Sequence, residues 1–256
     1  MKKFLPFFSA LVLILNSCSS DDSKESSVFV KKIIEVDKNG TSYTTDFTYD
    51  GTKKNRETVT NNETKEVYYM DYSYYSDGLI SSVLKSNTKG YPLILTELTY
   101  NGDFLKTVLV TEFAGTKKII KKTYYAAVLT NSYTYKTVDV DENNNAESNA
   151  IIGKLSIEDG KIVKDEATGF KTSTTLYEYD SNNNPFKNVK GVNSLLGNFD
   201  LGYSTYNVIK QTATSSVSNS PVIYSTTYTY NGKNFPTEAK QFDKDGNVES
   251  STQYFY

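Results

Sequence analysis

Residues 42–51 read SYTTDFTYDG, and their alternation decides the class of fold. Side chains in a strand point to opposite faces with period two, so Tyr43, Thr45, Phe47 and Tyr49 share one face. Thr44, Asp46 and Thr48 share the other. The Asp-Gly pair that ends the stretch suits a tight hairpin, because Asp, Asn and Gly accept positive φ. Residues 222–232, VIYSTTYTYNG, repeat the arrangement with Val222, Tyr224, Thr226, Tyr228 and Tyr230 together. Both segments are expected to be strands with one aromatic face.

The pattern recurs along the chain. FTYDG (47–51), YSYYSDG (72–78), LTYNG (98–102), YEYDSN (177–182) and YTYNG (228–232) each end an alternating run on a tyrosine followed by turn residues. Tyr49, Tyr74, Tyr100, Tyr125, Tyr179, Tyr206, Tyr230 and Tyr256 lie 25, 26, 25, 54, 27, 24 and 26 residues apart. The 54 is two periods, and the phase without a tyrosine falls near Ile152-Gly153. About 25 residues accommodate two strands of about 8 and two turns. A second turn type shows in VDKNGTS (36–42) and FDKDGNV (242–248). With that period, the tyrosine-bearing strands run in one direction with one strand between them. Their tyrosines then form a row near one end of the sheet, about 9.6 Å apart.

The fold expected is therefore all-β, a large antiparallel meander of repeated β-hairpins of about 25 residues, forming a curved or spiralling open sheet. Residues 139–153 (DVDENNNAESNAIIG) read as a polar loop, and 185–202 lacks alternation, which places a short helix near 186–198. The last segment, Val248 to Tyr256, reads as a strand.

These motifs resemble YD-repeat (RHS-type) sequence, and more closely the diverged Tyr-Asp-repeat lipoproteins of Gram-negative bacteria, over most of residues 36–256. Most copies lack the Asp-x-x-Gly continuation directly after the tyrosine pair. The resemblance implies a hairpin scaffold and supplies no catalytic residues.

The start of the chain carries an address. Lys2 and Lys3 precede an apolar run from Phe4 to Leu15, which fits a secretory signal and is too short to span a bilayer. Leu15-Asn16-Ser17-Cys18 resembles the lipobox of bacterial lipoproteins, which makes Cys18 the expected lipidation site and residues 1–17 the signal peptide. Residues 18–27, SSDDSKESS after the cysteine, form a polar tether, and 28–256 form the β-repeat domain. The expected location is the outer membrane of a Gram-negative bacterium, facing the periplasm or the surface.

Composition narrows the chemistry. The chain of 256 residues has 22 tyrosines, one cysteine, no histidine or tryptophan, and a net charge of −2. Histidine relays, thiol nucleophiles and His or Cys metal sites are missing from the mature chain, so neither a catalytic residue nor a cofactor is expected. Asp139-x-Asp141-x-Asn143-x-Asn145 places oxygens at alternating positions, as calcium ligation requires, but has no glycine at the sixth position and Ala150 at the twelfth. A hairpin turn is the better reading, as for Asp180-x-Asn182-x-Asn184, and no metal site is expected. No basic cluster interleaves with aromatics, which excludes a nucleic-acid footprint.

The expected function is a lipid-anchored, non-enzymatic binding or structural module of the cell envelope, joined to the membrane through its lipid and engaging a protein or glycan partner. An integral outer-membrane β-barrel is the first alternative. The Thr, Ser, Lys and Glu opposite the tyrosines count against it, since they leave no apolar band for lipid. A glycoside hydrolase using paired carboxylates is the other alternative.

Overall fold

The computed structural model describes residues 27–129, 131–195, 206–218 and 220–256. Cys18, the signal segment and the tether up to residue 26 lie outside the described residues. The described chain forms 16 strands. In order they are β1 (Lys32–Asp37), β2 (Ser42–Asp50), β3 (Lys53–Asn61), β4 (Val67–Tyr74), β5 (Ile80–Asn87), β6 (Pro92–Asn101), β7 (Phe104–Ala114) and β8 (Lys117–Leu129). They continue as β9 (Ser132–Val140), β10 (Glu147–Glu158), β11 (Lys161–Thr168), β12 (Thr172–Tyr179), β13 (Val208–Ser215), β14 (Val222–Tyr230), β15 (Pro236–Phe242) and β16 (Val248–Phe255).

Each strand pairs antiparallel with its neighbours in the chain, and β1 pairs with β16, so the sheet is a closed barrel. Ile34 sits opposite Thr44 on one side and Gln253 on the other. The meander and its all-β class are as expected. The open sheet is corrected: an open edge exposes a row of unpaired N–H and C=O groups, and closure leaves none. Curvature comes partly from bulges. The register shifts at Thr48/Tyr49, Ser73/Tyr74, Thr99/Tyr100, Glu178/Tyr179 and Thr229/Tyr230, immediately before five of the repeat tyrosines. A bulge bends its strand and increases local twist, which helps a wide sheet curl onto itself.

Turn chemistry fixes the hairpins. Asp37, Asn87, Asn231 and Asp243 each accept the backbone N–H groups of the residues two and four positions on, at 2.8–3.1 Å. The residue three positions on has positive φ in every case: Gly40, Gly90, Asn234 and Gly246. That is a side chain standing in for strand pairing while the backbone reverses. The polar stretch 139–153 is mostly strand, because β9 runs to Val140 and β10 begins at Glu147. Only 141–146 turns, with the Asp141 carboxylate accepting the N–H groups of Asn143 and Asn144. Of the helix expected near 186–198, the described part holds one 3-10 turn, Val192–Ser194.

The two faces of the wall differ. Phe47, Tyr72, Ile80, Leu98 and Val108 are buried on the inside. The outside carries exposed ion pairs between neighbouring side chains, including Lys32–Asp46, Arg56–Asp71, Lys136–Glu147, Lys164–Glu166, Lys210–Glu178 and Lys240–Glu238. Exposed pairs of this kind contribute about 0–1 kcal/mol each. Their weight lies in making the wall hydrophilic.

Candidate functional site

Closure turns the aromatic face into the lining of a lumen. The repeat tyrosines stand at one end of it, and five of them reach back to a carbonyl at or just before the start of the preceding strand: Tyr49 donates to Val30, Tyr74 to Lys54, Tyr100 to Ile80, Tyr179 to Ile162 and Tyr256 to Pro236, at 2.7–3.0 Å. On β14 the same bond, to Val208 at 3.0 Å, comes from Tyr228, two residues before the repeat Tyr230, whose hydroxyl donates to Asp180. Most of these bonds join residues about 20 apart. The period seen in the sequence is therefore the spacing of a hairpin whose last tyrosine ties down its own first strand.

Tyr206 does not belong to that series, although its spacing suggested so. It precedes β13, at the end of the long connection 180–207 inserted between β12 and β13. The repeat passes directly from Tyr179 on β12 to the tyrosines of β14, and the insertion stretched that one step to 51 residues, close to two periods.

The described part of that connection enters the same end of the barrel and packs against the inner face of β2 and β5–β7. Phe186, Val189, Val192 and Leu195 are buried against Phe47, Ile80, Leu98, Leu105 and Val108. Backbone and amide bonds fasten it to the surrounding turns: Lys190 N–H to Thr52 O, Asn183 N–H to Asn234 O and Asn188 Nδ2 to Val28 O, each 2.9 Å. At Gly191, φ is +82° and a Cβ would lie 3.0 Å from the Gly78 carbonyl, so a side chain there would be both strained and crowded. Asp180 organises the entry. Its carboxylate accepts the Asn182 and Asn207 N–H groups, the Asn207 amide and the Tyr230 hydroxyl. The Asp-x-Asn-x-Asn stretch at 180–184 is thus a turn with its oxygens in use.

Beneath Phe186 lies a buried charge. Lys54 is fully buried, donates to Glu57 Oε1, and has its Nζ 4.3 Å from the Tyr72 ring centroid, 4.9 Å from that of Phe186 and 5.6 Å from that of Phe47. The Tyr72 hydroxyl donates to the same Glu57 oxygen at 2.7 Å. Desolvating two charges costs several kcal/mol per ion unless they are paired and hydrogen-bonded, which these are. Cation–π attraction strengthens when water is excluded, and one of the three rings belongs to the closing segment. Nothing local in the sequence marks this burial, since Lys54 follows the Asp50-Gly51 turn and Phe186 comes from a distant part of the chain.

The wall of β9–β12 is lined differently, with small residues between tyrosines. Gly153 faces the lumen between Tyr135 and Ala167, and Asp165 between Leu155 and Thr175. A Cβ on Gly153 would lie 2.1 Å from Tyr135 Cζ, so the Tyr135 ring lies across the glycine. Its hydroxyl reaches one strand further and donates to Asp165 Oδ1 at 2.8 Å. The phase without a tyrosine, noted near Ile152-Gly153, is the place where a tyrosine from the next strand takes the space. Of the tyrosines off the repeat face, Tyr69 and Tyr124 lie outside beside Arg56 and Lys122, while Tyr75 packs edge-on against Tyr100. Among the described residues no group of three or more His, Cys, Asp or Glu side chains is placed to hold a metal.

No protein-family model matches the chain, and no curated protein matches it. The YD-repeat resemblance rests on its short motifs alone. Among solved structures, the chain is similar to a porin-like protein from Bacteroides vulgatus ATCC 8482, with TM-score 0.61 and 11% identity over 90% of this chain and 99% of that one. It is also similar to a porin-like protein from Bacteroides uniformis ATCC 8492, with TM-score 0.53 and 11% identity over 88% and 97%. At that identity the likeness shows the fold. The lipid-anchored module on an open repeat sheet is corrected by these findings, since a closed 16-strand wall with porin-like counterparts matches the barrel alternative better.

Proposed function

We propose that this chain is a porin-like barrel of the Gram-negative outer membrane that acts through its lumen, without catalysis, and that the segment 180–195 makes the lumen blind at one end. Closure is the observation that carries this reading. A sealed wall leaves the lumen as the place where side chains from many strands converge, and the buried residues of the plug stand inside it at the tyrosine end. Such a vessel holds a solute and does not conduct it.

The outward face favours a second reading, in which the wall stands in water at the envelope. Membrane barrels present an apolar band about 25 Å tall, and a Lys or Arg at the midplane costs about 2–4 kcal/mol. This wall carries Arg56, Lys136, Lys164, Lys210 and Lys240, each paired with an exposed carboxylate. Carbonate extraction of membranes from producing cells, followed by proteolysis of the reconstituted protein in liposomes, separates the two. A spanning barrel stays in the pellet and its strands survive. Release into the supernatant, with no protection by liposomes, decides for a wall in water. Steady ion conductance across a planar bilayer overturns the blind lumen under either reading.

A further inference from the structure

At the tyrosine end a cleft of about 420 Å³ opens where three distant stretches meet: residues 27–28 ahead of β1, the plug at 183–188 and the β14–β15 turn at 232–235. Its walls are pinned to one another. Asn188 Nδ2 donates to the Val28 carbonyl, and from Asn183 the backbone N–H donates to Asn234 O and Nδ2 to Lys233 O, each 2.9 Å. Small-molecule sites are mostly pre-formed concavities of about 300–1,000 Å³, and these bonds fix the shape of this one without help from a ligand.

The charge of the cleft is one-sided. Lys187 and Lys233 line it, and no acidic residue does. Lysines on the outer wall, such as Lys210 and Lys240, are paired with carboxylates. Lys187 Nζ instead donates to a neutral oxygen, Asn183 Oδ1, at 2.7 Å, and Lys233 forms no ion pair with a described residue. The carboxylate of the plug does not answer them, because Asp180 is taken by the Asn182 and Asn207 N–H groups, the Asn207 amide and the Tyr230 hydroxyl. Two like charges brought to one cleft repel, and an anion between them relieves that repulsion. The kind of cation narrows the anion. Arginine's planar fork matches a carboxylate, whereas the compact ammonium of lysine is a point charge that can meet a tetrahedral phosphate from any side. The cleft is larger than a phosphate alone fills, and Ser27, Asn188 and Asn234 supply hydroxyl and amide groups for the hydroxyls of an attached carrier.

We propose that this cleft binds a phosphate monoester on a hydroxylated carrier, a sugar phosphate or the phosphate of a lipid headgroup, between Lys187 of the plug and Lys233 of the wall. The bound anion ties plug to wall through charge. The site goes beyond the luminal reading above and is the same whether the wall stands in lipid or in water.

The test is calorimetry on the full chain, with two monoesters as probes, glucose 6-phosphate and dihexanoyl phosphatidic acid, against glucose and dihexanoyl phosphatidylcholine. At least one monoester is expected to bind saturably, at least tenfold more tightly than its counterpart. Tighter binding of the phosphatidic acid assigns the phosphate to a lipid headgroup, and tighter binding of glucose 6-phosphate assigns it to a soluble ester. Lys187→Met and Lys233→Met should each weaken that monoester at least fivefold, and Lys233→Met should do so with an unchanged urea midpoint, since the bond from Asn183 is to the Lys233 backbone. Gly232→Glu places a carboxylate in the cleft and should abolish binding. Its φ is not positive and a Cβ there meets nothing within 4 Å, so the fold should tolerate it. Lys89→Met, on the β5–β6 turn at the opposite end, should change nothing. No saturable binding of either monoester, binding no tighter than that of the counterparts, or binding untouched by both Lys233→Met and Gly232→Glu overturns the proposal.

Discussion

Individual residues carry unequal loads, and Lys54 carries the most. Its ammonium is fully buried, held by Glu57 and three rings. Lys54→Met leaves Glu57 buried with only the Tyr72 hydroxyl, and breaking a buried pair on one side costs about 3–5 kcal/mol. Against a total stability of about 5–15 kcal/mol, that loss should be plain in a urea melt. The combined variant Lys54→Met, Glu57→Leu, Tyr72→Phe removes every charge and the orphaned hydroxyl, and should recover most of the loss; a triple variant less stable than the single would contradict this account. Gly153 is the other decisive position. Gly153→Ala drives the Tyr135 ring off the wall and should cost about 1–3 kcal/mol, as overpacking does. In a Tyr135→Ala background the same change should cost far less, and equal penalties in both backgrounds would show that the ring does not lie there.

At the scale of strands and turns, the repeated tyrosine bond is the unit. Tyr74→Phe and Tyr100→Phe each remove a hydroxyl from a strand-start carbonyl and should lower stability by about 0.5–1.5 kcal/mol, whereas Tyr91→Phe, on a turn and 64% exposed, should lower it by nothing measurable. The turns add a pH term. The Asn247 amide and the backbone N–H groups of Asn247 and Asp245 hold the Asp243 carboxyl below the usual carboxylate range. A depressed folded-state value stabilises the hairpin above the unfolded value, near 3.9, and the contribution fades as pH falls through the folded value. NMR titration of Asp243 in the folded protein should place its midpoint below 3.9; a midpoint above it would reverse the sign. Strands, turn residues and the tyrosine row were legible in the sequence because each depends on neighbours within about 25 positions. Tyr206 misled because a 28-residue connection happened to fit one period. The polar run 139–153 misled because its composition suits a loop, while strand pairing to β8, β9 and β11 extends through most of it. The inward setting of Asp165 was unreadable, since it requires Gly153 and Tyr135 from two other strands.

For the whole molecule, closure is the property on which lumen, plug and candidate site depend, and local sequence does not encode it. It joins β1 to β16 across more than 200 residues. Removing residues 247–256 takes away β16 with its inward Tyr254 and the Tyr256 that follows it, opens the barrel between β15 and β1, and exposes both new edges. Since burying one large side chain contributes about 1.5–3 kcal/mol, a chain ending at Gly246 should be severely destabilised in urea, and coincident melts would show that the last strand is dispensable. Closure itself is tested most directly by a disulfide across the seam. Ile34 and Gln253 are partners in the β1–β16 ladder, where antiparallel Cα atoms lie about 4.5–5.5 Å apart, within disulfide reach. In a Cys18→Ala background, the Ile34→Cys, Gln253→Cys protein should oxidise to a monomer with a single internal bond, seen as faster migration on a non-reducing gel and as the cross-linked peptide by mass spectrometry. A protein that keeps two free thiols, or that yields only intermolecular dimers, would contradict the closed barrel.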